Sequence, residues 1–237
     1  MLSFLKNKQK VSEDTPSMAV KKLFSTLQKL GLSPVHIVDI GANRGGWTRT
    51  VLSVFPQAKI SIFEPQTRLA EFHKDLVENP NIEIIYKGVG SADGTSAFTF
   101  HDRDDSCSFV YESEDALERG FDQSEIEICR LDTAIATSRF GAPDVVKIDA
   151  EGLDLEVLEG GTDTLQTANV VLVEASIANP DYPNTLLTVL QKMDELGFRL
   201  FDFTDLNRSP SNKVLWLVEA VFVKKGSAIE IAGTEFK

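Results

Sequence analysis

Apolar residues recur at helical spacing through residues 17–30 (Met18, Val20, Leu23, Phe24, Leu27, Leu30), and the run stops at Gly31 with Pro34 beyond, so an N-terminal helix is expected. A short apolar run at 35–40 reads as a strand, and 48–55, beyond a cluster of glycines, reads as a helix. The unit repeats with a strand at 58–63, a helix at 66–77 and a third strand at 82–87. The rhythm then breaks. Residues 96–100, 107–111 and 125–130 read as short strands separated by the acidic stretches 101–105 and 112–122, which suggests an inserted hairpin region at about 91–130. Alternation returns with a strand at 144–149, a helix at 153–158, a strand at 170–174, a helix at 184–196 and strands at 198–203 and 215–223. A polar loop without a helix joins the last two strands, so they are expected to pair antiparallel.

Strands alternating with helices at this spacing imply right-handed crossovers and a mostly parallel α/β sheet with helices on both faces. No internal repeat or linker divides the chain. The expected organisation is a tail and helix over 1–34 packed on one domain spanning 35–237, with the insertion inside it.

Composition narrows the function. The 237 residues carry 24 Lys and Arg against 36 Asp and Glu, and a net charge of -12 repels a nucleic-acid backbone, so no nucleic-acid partner is expected. Cys107 and Cys129 stand apart from any metal-binding spacing, which fits a reducing, cytoplasmic compartment. No apolar run is long enough for a transmembrane segment. In residues 1–10 the apolar Leu2, Phe4 and Leu5 precede the lysines, the reverse of a signal peptide, and a frayed basic tail is the plain reading. The pattern gives no heptad or apolar stripe from which an oligomeric state follows.

In an open α/β sheet, ligands bind outside the carboxyl ends of the strands. Here those ends are acidic: Asp39 on the first strand, Glu64 after the second, Asp149 on the fourth and Glu174 on the fifth. The first turn reads Asp39-Ile40-Gly41-Ala42-Asn43-Arg44-Gly45-Gly46-Trp47-Thr48, with Gly41 and Gly45 allowing close approach of a ligand. Its GxxxG spacing puts Asn43 where a dinucleotide fold wants a glycine, which disfavours an NAD(P)-dependent oxidoreductase. A nucleoside carrying an amino acid and a positive centre suits such a rim, and S-adenosylmethionine is that ligand. Asp39 is expected to pair with its ammonium, Thr48 and the amides near Gly45 to take its carboxylate, and Glu64 to take its ribose. Gly88, Val89 and Gly90 are expected to leave room for adenine.

A second cluster, Lys147-Ile148-Asp149-Ala150-Glu151-Gly152, sets Lys147, Asp149 and Glu151 on one side of an extended chain. A lysine inside an apolar strand requires a carboxylate partner, so an organised polar cluster is expected there. Asp149 and Glu151 are the candidate general bases, with Glu174, Tyr182 and His101 as candidate substrate contacts. Several carboxylates on one rim also suit a divalent metal, although no ligand spacing requires one. Trp47 and Trp216 read as packing residues.

These residues resemble the FkbM-type S-adenosylmethionine-dependent methyltransferases. The resemblance rests on Val38 to Gly45 with Thr48, on Phe63-Glu64-Pro65, on Leu131-Asp132, and on Lys147 to Gly152 with Val157-Leu158 and Gly160. It implies a Rossmann-like, seven-stranded class I methyltransferase sheet whose last strand is antiparallel, and methyl transfer to an oxygen, often a sugar or natural-product hydroxyl. It places cofactor contacts at Asp39, Gly41, Asn43, Gly45 and Glu64, and Lys147, Asp149 and Glu151 around the reaction centre. Where family members often carry a second Glu after the glycine, this chain has Asp154. The expected partner is a small-molecule or carbohydrate acceptor. A non-catalytic binding or partner protein on the same fold is the alternative.

Overall fold

The computed structural model describes residues 16–178 and 183–234. Among the described residues ten strands are formed: β1 (His36–Ile40), β2 (Lys59–Phe63), β3 (Ile82–Ile85), β4 (Gly88–Gly90), β5 (Gly94–Phe100), β6 (Asp122–Arg130), β7 (Val145–Ile148), β8 (Val170–Ser176), β9 (Phe198–Arg208) and β10 (Leu215–Lys224). Seven of them make one sheet in the order β3-β2-β1-β7-β8-β10-β9, and β4-β6-β5 make a second. The first five strands of the large sheet are parallel, whereas β10 runs antiparallel to both of its neighbours. This is the seven-stranded arrangement with an antiparallel last strand that the resemblance implies.

Continuous burial along β1 and β7 follows from covering both faces of a parallel sheet. The helices are α1 (Pro16–Lys29), α2 (Gly46–Leu52), α3 (Lys74–Val77), α4 (Ser113–Arg119), α5 (Leu131–Thr137), α6 (Asp154–Gly160), α7 (Thr162–Thr167), α8 (Leu186–Glu195) and α9 (Ala228–Gly233). Phe24 and Leu27 of α1, Val51 of α2, Leu76 of α3 and Ile229 of α9 pack with Ile37, Val145 and Leu172 on one face. Leu131 of α5, Val157 of α6, Leu165 of α7 and Met193 of α8 pack with Val38, Val146 and Val171 on the other. Strand alternation divides the two cores, and it assigns Asp39 and Lys147 to the same face as Ile37 and Val145.

The middle of the chain differs from the expected pattern in three places. Residues 107–111 form no strand, since only Ser108 bridges to Thr99. The acidic stretch expected as loop holds α4, whose seven residues bury Ala116 alone, so it carries no apolar period. The helix expected over 66–77 is a 3-10 segment, Thr67–His73, running into the single turn of α3. Leu69 and Leu76 are too few apolar contacts to hold a longer amphipathic helix there.

β5 and β6 form an antiparallel hairpin, which the parallel pair β4–β6 attaches beside the large sheet. Among the described residues no helix is long and apolar enough to cross a membrane.

Candidate active site

A cavity of about 900 Å³ opens along the carboxyl rim of the large sheet. The topology brings Gly41, Asn43, Glu64, Val89, His101, Asp149, Glu151 and Glu174 together on its walls. Residues of β9, β10 and their connection, including Asp205, Asn207, Arg208 and Trp216, line the far end.

Lys147 organises the floor. Its Nζ donates to Asp149 Oδ2 at 2.9 Å and to the carbonyls of Gly41 and Ile40 at 2.9 and 3.2 Å, and lies 3.6 Å from Asp39 Oδ1. Burial opposes its charge, but Asp149 and Asp39 outweigh that effect and hold its pKa above the usual lysine range. The ammonium thereby fastens the end of β1 to the end of β7. Asp149 Oδ2 is fixed by this ion pair, whereas Asp149 Oδ1 is buried without a hydrogen-bond partner.

Asp39 and Thr48 stand behind the cavity, contrary to the expected cofactor contacts. Both are fully buried, and Thr48 Oγ1 donates to Asp39 Oδ2 at 2.5 Å. The reason is register: Asp39 lies beside Lys147 on the face covered by α2, so its carboxylate serves the interior. Gly45 is likewise buried and caps α2 in a left-handed conformation.

Gly41 is required by closeness. Its φ is +71°, and a Cβ there would lie 1.8 Å from the Asp149 carbonyl oxygen. Asn43 follows, also left-handed at φ 48°, a conformation asparagine tolerates. Its N–H donates to Glu64 Oε2 at 2.7 Å, and the Gln66 N–H donates to Glu64 Oε1 at 2.8 Å. Burial raises the Glu64 pKa to about 7 against these two amides. His73, buried and 30 residues along the chain, contacts the Asn43 carbonyl through Nε2 at 2.6 Å and so steadies the turn. The separation along the chain hides that support from any local motif.

Glu151 is held in a left-handed conformation at φ 51°, a strain of about 1–3 kcal/mol for such a residue. Asp154 enforces it: its fully buried carboxylate accepts from the Ala150 and Gly152 amides and from Asn184 Nδ2. The departure at Asp154 is therefore a clamp on the turn that presents Glu151. Burial raises Asp154 to about 7, and burial with Asp149 nearby pushes Glu151 and Glu174 well above the ordinary carboxylate range.

Sequence reasoning misses the continuation of this row. Glu174, Glu219 and Asp205 are direct neighbours across β8, β10 and β9. Thr204 Oγ1 donates to Glu219, whose pKa burial raises to about 7. Only strand register, which a single sequence does not display, aligns them. No group of three His, Cys, Asp or Glu side chains among the described residues is placed to hold a metal ion.

The second sheet supplies the roof. Val89 lines the cavity, but Gly88 and Gly90 do not provide the expected open space: a Cβ on Gly88 would meet Ile128 and Phe109, and one on Gly90 would meet Ile128. His101 packs against Phe121 and Tyr111 with ring centroids 4.5 and 5.8 Å away. Arg44 pairs with Asp104 at 2.6 Å, and Gln66 Nε2 donates to the Asp104 carbonyl, tying the roof to the turns after β1 and β2. Tyr182 lies outside the described residues.

The cavity chemistry fits a cationic nucleoside. Glu64 presents a carboxyl group to hydroxyl donors, and the carboxyl groups of Asp149, Glu151 and Glu174 line the middle. The family described as the methyltransferase FkbM domain matches residues 39–200. No curated protein matches the sequence. Among solved structures, the chain is similar to a precorrin-6y C5,15-methyltransferase from Geobacter metallireducens GS-15, at 14% identity and TM-score 0.48, covering 87% of each chain. It is also similar to magnesium protoporphyrin IX methyltransferase (ChlM) from Synechocystis PCC 6803 with bound SAM, at 10% identity and TM-score 0.49, covering 88% of this chain and 79% of that one. The family match takes in the Gly41 turn, Glu64, and the Lys147-to-Glu151 strand end, and the chain belongs to the FkbM methyltransferase family.

Proposed function

We propose that this protein transfers a methyl group from S-adenosylmethionine to a hydroxyl oxygen of a sugar, glycoconjugate or small natural product. The observation that carries the reading is Asp149: one oxygen is fixed by Lys147 and the other is buried at the cavity without a partner. When bound, the cofactor supplies an activated methyl group on a positively charged sulfur. Glu64 would hold its ribose hydroxyls, and the Gly41–Asn43 turn would lie along its amino-acid portion. The chain's own tasks are to hold the acceptor hydroxyl in line and to take its proton. Asp149 Oδ1 is the group for the proton, because its partner oxygen is already immobilised. Burial, with Asp149 nearby, favours the protonated form of Glu151 and Glu174, which suits them to donate hydrogen bonds that orient the acceptor.

Calorimetric titration with S-adenosylhomocysteine and transfer of a labelled methyl group test this together. Micromolar binding is expected, weakened about tenfold or more in Glu64→Ala. Asp149→Asn is expected to lose at least about a hundredfold in turnover, with S-adenosylhomocysteine affinity kept within about tenfold. Full turnover in Asp149→Asn removes the assigned base, and a folded wild-type protein that does not bind S-adenosylhomocysteine removes the reading.

A further inference from the structure

The far end of the cavity is shaped by an irregularity in β10. Leu215 pairs with Arg208 and Leu217 with Asn207, so Trp216 is the extra residue of a β-bulge. A bulge bends its strand and re-aims a side chain, and it recurs beside binding sites for that reason. The Trp216 carbonyl accepts the Ile177 N–H at 2.8 Å, so the bulge is pinned to the chain just beyond β8. Trp216 lines the cavity, and 40% of the residue's surface is exposed. A large aromatic surface left open in a cavity wall is an unfilled contact.

Its neighbours define what fills it. Asp205 and Asn207 line the same wall, and Asn207 Nδ2 donates to Asp205 Oδ2 at 3.1 Å. The rim runs Glu64 just after β2, Gly41 just after β1, Asp149 just after β7, Glu174 on β8, then Trp216 and Asp205 on β10 and β9. Three strand spacings of about 4.8 Å separate β1 from β10, so Trp216 stands past the reaction centre on the side away from the cofactor. A cavity of about 900 Å³ is near the top of the ~300–1,000 Å³ range for one small ligand, leaving space there for an acceptor. The flanking carboxylates repel an anion and accept hydrogen bonds from hydroxyls.

Resting on the methyl-transfer reading above, we propose that Trp216 is the stacking platform of the acceptor subsite. Asp205 and Asn207 beside it bind the hydroxyls of a saturated, polyhydroxylated ring. The C–H face of such a ring lies on the indole while its edge hydroxyls reach the carboxylate and the amide. Trp216 thus selects the acceptor, and the cofactor end does not depend on it.

The test is calorimetry on wild-type, Trp216→Ala and Trp216→Phe proteins, each saturated with S-adenosylhomocysteine. Methyl α-D-glucopyranoside, methyl α-D-mannopyranoside and methyl α-L-fucopyranoside are the probes, with open-chain sorbitol and planar catechol as comparators. The expected result is binding of at least one pyranoside in preference to sorbitol and catechol. That affinity falls about tenfold or more in Trp216→Ala and is partly restored in Trp216→Phe, while S-adenosylhomocysteine affinity stays within about twofold in both. Equal pyranoside binding in wild type and Trp216→Ala overturns the platform. So does preference for catechol or sorbitol, or the absence of any pyranoside binding by a protein that binds S-adenosylhomocysteine. Failure to bind S-adenosylhomocysteine is a separate outcome that overturns the methyl-transfer reading and this inference with it.

Discussion

At the end of the cavity over β1 and β2, Glu64 is held by two backbone amides, Asn43 by His73, and the Gly41 carbonyl by Lys147. At the end over β9 and β10, Asn207, Arg208 and Trp216 stand exposed, and the strands are interrupted by bulges. The first end is fixed before any ligand arrives, which suits a ligand that never changes. The second retains open polar and aromatic surface, which suits choosing among acceptors.

The contrast breaks most sharply at the residue fastening the fixed end. Lys147→Met leaves the buried Asp39 and the half-buried Asp149 beside one another without their cation, and is expected to cost about 3 kcal/mol or more in chemical denaturation. Gly41→Ala forces a Cβ against the Asp149 backbone at a positive φ, and a loss of roughly 3 kcal/mol, with failure to bind S-adenosylhomocysteine, is the expected calorimetric outcome.

The same end has a pH signature. Burial raises Glu64 from 4.5 to about 7, so between those values the folded chain holds more protons than the unfolded one. Stability therefore falls as pH rises through that window and levels off above it, with about 2–3 kcal/mol from Glu64. Denaturation of wild type and Glu64→Gln at pH 5 and pH 8 reads this directly, since the variant is expected to show a flatter profile. At the far end, Asn207→Ala is expected to change stability by no more than about 0.5 kcal/mol. A substantially larger loss in denaturant would show that this end is as fixed as the other.

The same division governs what the sequence reveals. The Gly41 turn, Glu64 and the Lys147-to-Glu151 segment are each short and contiguous, and parallel strands carry their ends to one rim, so their chemistry is visible in the order of residues. The direction of Asp39 is not, because it depends on the β1–β7 register that sets it beside Lys147. His73 supports Asn43 from 30 residues away, and α4 is too polar to show a helical period. Trp216 reads as a packing residue because ordinary strand alternation contains no sign of the bulge that turns it to the cavity.

Those bulges also bear on how the acceptor wall can change. Besides Trp216 in β10, Thr204 and Phe201 are the unpaired extra residues of β9. Each shifts the frame in which its strand is read, so that losing one residue would turn the positions beyond it to the opposite face. β1 and β7 run in unbroken register with both neighbours, and a similar deletion there would dismantle the floor of the cavity. β9 and β10 can therefore acquire a new lining by a change in length, a heritable step unlike point substitution, while the end over β1 and β2 remains untouched.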